Sequence, residues 1–151
     1  VCDRGHVDVV DRLLYHGVDI NICDTLGSSP FMVACENGHI GIVDRLILFG
    51  ALVNASNVTG WTALMFACER GHVQVVDRLL SLRVEVNSFN ANERTALMLA
   101  CYKNHPQIVQ LLLESNADTS HKDKDGKTAL DVAASEEIKQ LIRDHEAKKS
   151  L

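Results

Sequence analysis

The sequence predicts an all-α solenoid, in which short helix pairs joined by β-hairpin-like fingers stack side by side. Three observations predict it. The sequence matches itself when it is shifted by 33 residues. Each copy contains two short stretches with the apolar spacing of helices. A helix pair of this size cannot bury its own apolar surface, so each pair needs another pair beside it.

The stretch 62–80 shows the pattern most clearly. Thr62 is a favourable N-cap, because its hydroxyl can accept a hydrogen bond from a backbone N–H that has no partner within the helix. Residues 63–68 form a short, almost entirely apolar helix, and Gly71 supplies the left-handed residue that ends it. A second helix then carries one apolar face, made of Val73, Val75, Val76, Leu79 and Leu80.

Several positions recur at the 33-residue interval. The turn between the helices reads Gly-His three times and Asn-His once, and Asn tolerates the left-handed conformation. A helix cap, an alanine and a cysteine recur in the same register. The positions are Gly5, Gly38, Gly71 and Asn104 in the turn, Ser29, Thr62, Thr95 and Thr128 at the cap, Ala34, Ala67, Ala100 and Ala133, and Cys2, Cys35, Cys68 and Cys101. So many matches in register do not arise by chance.

A 33-residue period with two helices and a turn is the spacing of ankyrin repeats. Residues 24–31 resemble the opening of such a repeat, and residues 50–54 resemble its close. The chain therefore resembles ankyrin repeat proteins over essentially its whole length. The resemblance implies one domain, 1–151, composed of a partial repeat 1–23, full repeats 24–56, 57–89 and 90–122, and a shortened C-terminal capping repeat 123–151.

Two departures from the family pattern stand out. Met32, Met65 and Met98 occupy a position where the family often has histidine. Glu93 replaces the turn glycine of the fourth unit, residues 90–122, so we expect that turn to differ locally from the others.

Composition excludes several classes of protein. With 46% hydrophobic residues and a mean hydropathy of +0.01, the composition is that of a soluble globular chain. The net charge of -5 argues against a nucleic-acid or anionic-membrane surface, since both require clustered cations. No apolar run is long enough to insert into a membrane. Because the sequence opens within a helical pattern and without methionine, we expect a domain of a larger protein. We also expect this domain to be monomeric.

The cysteines predict burial rather than chemistry. Four of the five share one repeat position, so they are expected to be small buried hydrophobes in a reducing compartment, the cytoplasm or, as an alternative, the nucleus. Each lies four residues before a histidine, but a two-ligand zinc site in every repeat is disfavoured, and nothing orients the histidine for a nucleophilic pair. The Asp123–Gly126 turn lacks the later acidic ligand of a calcium loop. We expect no catalytic residue, metal or cofactor.

Positions at which the repeats differ indicate the surface that binds partners. A side chain free to vary between copies is not packed in the interface between repeats. In ankyrin proteins the equivalent positions line the fingers and the concave groove. Carried onto this chain, the resemblance implies a partner-binding set made of Leu26, Trp61, Glu69, Arg70, Phe89, Arg94, Tyr102 and Lys103.

Within this set, the sequence suggests an exposed Trp61 as an aromatic anchor flanked by cations, since Trp, Tyr and Arg are enriched at binding hot spots. The alternative is that Trp61 lies flat over its own finger. The leading functional prediction is a non-catalytic protein–protein interaction module, an adaptor or scaffold that binds a protein or peptide partner. The alternative is a regulatory or substrate-recruiting ankyrin domain of a larger enzyme or channel.

A third hypothesis makes the chain a substrate. Ankyrin repeats as a family can be hydroxylated on the finger asparagine, which Asn21, Asn54 and Asn87 match. The structural alternative is that these side chains form hydrogen bonds that shape the finger turn.

Overall fold

The computed structural model describes residues 6–151. The expectations placed on Cys2 and Gly5 lie outside these residues. The described chain forms nine α-helices joined by short turns. They are α1 (Val7–Tyr15), α2 (Pro30–Glu36), α3 (Ile40–Leu48), α4 (Ala63–Arg70), α5 (Val73–Ser81), α6 (Ala96–Tyr102), α7 (Pro106–Glu114), α8 (Ala129–Val132) and α9 (Glu136–Lys149).

The helices stack in two rows. The first helices of the pairs, α2, α4, α6 and α8, contact one another in order and form the inner row. The second helices, α1, α3, α5, α7 and α9, form the outer row in the same way. Between residues 6 and 151, strand-like pairing in the fingers is limited to isolated bridges from Ser56 to Thr62 and from Phe89 to Thr95. The predicted all-α solenoid is confirmed.

Hydroxyl side chains begin the inner helices as the sequence predicts. Ser29, Thr62 and Thr95 each accept a hydrogen bond from the backbone N–H three residues later, at 3.2–3.3 Å. Thr128 caps α8 in the same way, and the Asp131 carboxylate accepts the Thr128 N–H in return. These reciprocal bonds satisfy donors that the helix leaves unpaired at its first turn.

Most residues of the inner helices α2, α4 and α6 are buried. Cys35, Cys68 and Cys101 are fully buried free thiols, as the sequence predicts, and Cys23 is exposed. Burial raises the pKa of all three buried thiols, that of Cys101 to about 12. The thiols therefore stay protonated at neutral pH and pack as small apolar groups.

The four finger turns share one hydrogen-bond scheme. The side-chain oxygen of Asp24, Asn57, Asn90 or Asp123 accepts the backbone N–H groups two and four residues later, at 2.9–3.1 Å. The fourth residue of each turn is left-handed, and Glu93 adopts φ +58 where the other turns have glycine. The expectation that the turn containing Glu93 differs locally from the others is therefore wrong. The Glu93 carbonyl accepts a hydrogen bond from His121 Nε2 at 2.9 Å, which helps to hold the strained residue in place.

Two of the recurring turn histidines, His72 and His105, connect their repeats to the preceding ones. His72 Nε2 donates to the Glu36 carbonyl at 2.8 Å, and His105 Nε2 donates to the Glu69 carbonyl at 2.9 Å. The imidazole rings lie so close to the preceding turn that a Cβ added at Gly38 would stand 2.5 Å from His72, and one added at Gly71 would stand 2.7 Å from His105.

Glycine is therefore required at positions 38 and 71 for two reasons. The backbone has a positive φ there, and the histidine of the following repeat occupies the space that a side chain would need. The shortened last repeat has no Gly-His turn, so no equivalent imidazole follows Asn104. A side chain is accordingly tolerated at Asn104, which is exposed and has φ +61.

Candidate partner-binding surface

The eight residues of the predicted binding set lie at several places along the solenoid. Leu26 is at the tip of the first described finger, 62% exposed. Phe89 is 54% exposed and stacks on His121, with ring centroids 5.2 Å apart. Trp61 has a different aromatic neighbour, and the remaining five residues lie at the C-terminal ends of α4 and α6 and at the base of the finger before α6. The structure therefore does not bring all eight residues of the predicted set together in one site.

Trp61 is half-buried rather than exposed. Its ring lies against Phe66, with centroids 5.0 Å apart, and packs on the hydrophobic core. Thr62 caps α4, so Trp61 precedes the cap and Phe66 is the fourth residue of the helix. Apolar residues at these two positions commonly pack together at the start of a helix. The expectation that Trp61 is an exposed anchor is therefore wrong, because its ring packs on Phe66 at the start of α4.

Tyr102 is the exposed aromatic residue of the inner row. It is the last residue of α6 and is 56% exposed. The Arg94 guanidinium lies 5.8 Å from the ring centroid, and Lys103 Nζ lies 5.6 Å from it. Both distances fall within the range in which a cation is attracted to an aromatic ring. The sequence suggested an exposed aromatic ring flanked by cations at Trp61, but the structure places this arrangement at Tyr102.

Asp123, in the turn of the next finger, holds Arg94 in this position. Nε of Arg94 lies 3.5 Å from Oδ2 of Asp123, whose side chain is only 1% exposed. Burial by itself raises the pKa of Asp123. Hydrogen bonds from the backbone N–H groups of Lys127 and Asp125, and the charge of Arg94, outweigh burial and lower the pKa below its ordinary value. Asp123 is therefore an anion at neutral pH, and Arg94 is its nearest cation.

A polar cleft lies beside Tyr102. It is lined by Glu69, Arg70, Lys103 and His105 and has a volume of about 520 Å³. Arg70 crosses to the preceding inner helix and forms an ion pair with Glu36 at 3.0 Å. His105 is fixed by its bond to the Glu69 carbonyl, so the cleft has an ordered wall. We call Arg94, Tyr102 and Lys103, with the cleft residues Glu69 and Arg70, the Tyr102 surface.

Sequence reasoning missed three residues that shape this region. Phe66 could have been found from its position five residues after Trp61, the spacing of a pair that flanks a helix start. His105 was noted for its recurrence but not for its contact with the preceding repeat. Asp123 carries a signal too, because the two preceding fingers have Asn57 and Asn90 at the equivalent position.

The comparison with protein-family models agrees with this geometry. The model for ankyrin repeats (3 copies) matches residues 1–90 and 82–151, which together span the chain. The chain belongs to the ankyrin repeat family. A search of curated proteins gives no significant match. Ankyrin repeats are generally protein–protein interaction modules and are typically non-catalytic.

The finger asparagines of this ankyrin chain already have structural partners. Oδ1 of Asn21, Asn54 and Asn87 accepts the backbone N–H of Leu52, Glu85 and Asp118, respectively, at 2.8–3.1 Å. Each bond crosses to the next repeat, whereas the sequence predicted a bond that shapes the finger's own turn. Hydroxylation of these residues stays a prediction.

The described residues contain neither a metal-ligand cluster nor a membrane-spanning helix. Among residues 6–151 no group of three or more His, Cys, Asp or Glu side chains could hold a metal ion. The thiols of Cys35, Cys68 and Cys101 are buried, and burial raises the pKa of each so that they stay protonated at neutral pH. Within the same part of the chain, no helix has the length and apolar character needed to cross a bilayer.

Proposed function

We propose that this ankyrin domain is a non-catalytic adaptor or scaffold module that binds a peptide or protein partner through its fingers and concave groove, with the Tyr102 surface as the centre of contact. The observation that carries the proposal is the exposure of Tyr102 between two cations. Tyrosine and arginine are the residue types that most often dominate binding energy when a partner covers them.

The surroundings of Tyr102 support this assignment. The ring extends from a helix whose first six residues, Ala96–Cys101, are buried, so binding would not have to order the backbone beneath it. Arg94 and Lys103 restrict the ring further through their contacts. A rigid aromatic side chain with a polar cleft beside it can offer both an apolar contact and directional hydrogen bonds.

A selection experiment tests the proposal. Peptides that bind the wild-type chain are selected from a random library, and their affinities are measured by fluorescence anisotropy. Tyr102→Ala should weaken binding at least tenfold, about 1.4 kcal/mol or more. Tyr15→Ala is the matched control, because Tyr15 is 78% exposed but lies on the outer row, where its ring contacts Phe49.

Equal losses for the two tyrosine variants, or none for Tyr102→Ala, would contradict the proposal. NMR chemical-shift mapping of the bound peptide supplies an independent answer. The shifts should be largest at Arg94, Tyr102 and Lys103, and shifts confined to the outer row would place the partner elsewhere.

We also propose that the protein works in a reducing compartment, the cytoplasm or the nucleus. The support is the set of buried free thiols at Cys35, Cys68 and Cys101. A regulatory or substrate-recruiting role within a larger enzyme or channel would use the same surface, so the same tyrosine variants apply to it.

A further inference from the structure

We infer that the Tyr102 surface recognises an acidic peptide segment: an Asp or Glu side chain of the partner binds between Arg94 and Lys103, and a neighbouring apolar side chain packs on the Tyr102 ring. This inference rests on the proposed function, because it names the chemistry of the partner for the same surface. Three features of the described residues carry it.

The first feature is the pair of cations. Arg94 has five N–H donors, and its one ion-pair contact within residues 6–151 is from Nε to Asp123, which leaves its terminal nitrogens available to a ligand. Lys103 forms no ion pair with a carboxylate in that same part of the chain; its nearby group is the Tyr102 ring. Two cations beside one exposed ring are a favourable environment for a carboxylate.

The second feature is the buried carboxylate beneath Arg94. Oδ1 of Asp123 accepts two backbone N–H groups of its own turn, but the buried Oδ2 has no hydrogen bond and faces Arg94. The turn itself does not need this charge, because Asn57 and Asn90 make the equivalent turns with an amide oxygen. The negative charge of Asp123 therefore serves to attract the Arg94 guanidinium rather than to form the turn.

The repeats support this interpretation when equivalent pairs are compared. The finger-base residue and the first turn residue of the next repeat are Ser28 with Asn57, then Trp61 with Asn90, then Arg94 with Asp123. Asp123 occurs in the pair that has arginine. We assign Asp123 as a positioning residue, which aligns the Arg94 guanidinium beside Tyr102 before a partner arrives.

The third feature is the limited extent of the positive charge. Arg70 is already paired with Glu36, and Glu69 lines the same cleft as Lys103. The whole chain carries a net charge of -5. A long polyanion would extend over these carboxylates and be repelled by them. A short segment with one or two acidic side chains can contact Arg94 and Lys103 without extending that far.

The decisive experiment uses the peptides selected against the wild-type chain. We expect them to be enriched in Asp or Glu next to Leu, Phe or Trp. Replacing the acidic residue of a selected peptide by its amide, Glu by Gln or Asp by Asn, should weaken binding about tenfold. The same replacement should have little further effect when the protein carries Arg94→Gln together with Lys103→Gln.

The role of Asp123 is tested separately with Asp123→Asn, which removes the charge but keeps a side-chain oxygen that can accept the two backbone N–H groups of the turn. We expect a threefold to tenfold loss of affinity for the acidic peptide, a shifted Arg94 Nε–Hε resonance in NMR spectra, and a far smaller effect on the amide version of the peptide. Asp24→Asn makes the same chemical change in the first finger and should leave affinity and that resonance unchanged.

The outcomes distinguish failure of the acidic-segment inference and of the positioning role of Asp123 from failure of the proposed function. Selected peptides that lack acidic residues, or that bind equally well as amides, would overturn the acidic-segment inference even if Tyr102→Ala still abolished binding. Loss of affinity in Asp123→Asn without movement of the Arg94 resonance would overturn the positioning role. If Tyr102→Ala did not weaken any selected peptide, the proposed function itself would fail.

Discussion

His105 and Tyr102 lie three residues apart in the same repeat but differ in their surroundings. His105 turns back onto the preceding repeat, where its imidazole donates to the Glu69 carbonyl and lies over Gly71. Its equivalent His72 does the same with Glu36 and Gly38. Tyr102 is exposed, and the two preceding repeats have glutamate at its position. The recurring histidine joins one repeat to the next, whereas the varying position at Tyr102 faces outward.

This comparison predicts that the recurring turn carries the largest stability effects. Gly71→Ala would place a side chain on a left-handed residue and bring its Cβ within 2.7 Å of His105. We expect the free energy of unfolding, measured by urea denaturation, to fall by about 3 kcal/mol. Asn104→Ala is the matched control and should cost only about 1 kcal/mol, since no imidazole follows that turn.

A double variant sharpens the same prediction. If the cost of Gly71→Ala comes partly from the imidazole, adding His105→Ala should recover part of it, so the two changes together should cost less than their sum. Strict additivity, or an equal cost for Gly71→Ala and Asn104→Ala, would mean that the histidine does not restrict the turn.

The next largest effect is expected at the histidine itself. His72→Ala removes the donor to the Glu36 carbonyl and the packing of the ring over Gly38. We expect a loss of about 1–2 kcal/mol in unfolding free energy. His16→Ala, at an exposed position after α1, should change stability by less than about 0.5 kcal/mol. Similar values for the two variants would show that the bond between repeats contributes nothing.

A smaller effect is expected at acid pH. The folded-state pKa of Asp123 is lowered, so the folded protein binds this proton less tightly than the unfolded chain does. The stability contributed by the ionised carboxylate is therefore complete above the unfolded-chain pKa, about 3.9, and is lost as the pH falls toward the folded-state pKa. Urea denaturation at several pH values between 5 and 3 should show a shallower loss of stability for Asp123→Asn than for wild type. Parallel curves would contradict the account of Asp123.

The sequence was sufficient to predict the architecture because the repeat multiplies each local signal. The caps at Ser29, Thr62 and Thr95 and the buried Cys35 are confirmed, since each depends on contacts within one helix pair or its immediate neighbours. The turn containing Glu93 was wrongly expected to differ from the others. Its conformation is set by the hydrogen bonds that Asn90 accepts, and these do not depend on the residue at Glu93.

The binding surface was less predictable because it depends on contacts between side chains of different repeats. The pattern of variation selected Arg94, Tyr102 and Lys103, which the structure places together, but it could not show which aromatic ring is exposed. Trp61 is half-buried because Phe66 lies at the right place to cover it. The Arg94–Asp123 contact joins residues 29 positions apart and has no periodic signature, since it occurs in the pair where arginine meets aspartate.

The central claim is that recurring positions hold the repeats together and varying positions bind the partner. The most direct test measures unfolding free energy and affinity for a selected peptide on the same two variants, His72→Ala and Tyr102→Ala. We predict that His72→Ala lowers stability by about 1–2 kcal/mol and leaves affinity within twofold. We predict that Tyr102→Ala changes stability by less than about 0.5 kcal/mol and weakens affinity at least tenfold. A variant that lost both properties together, or the reverse assignment of the two losses, would contradict the claim.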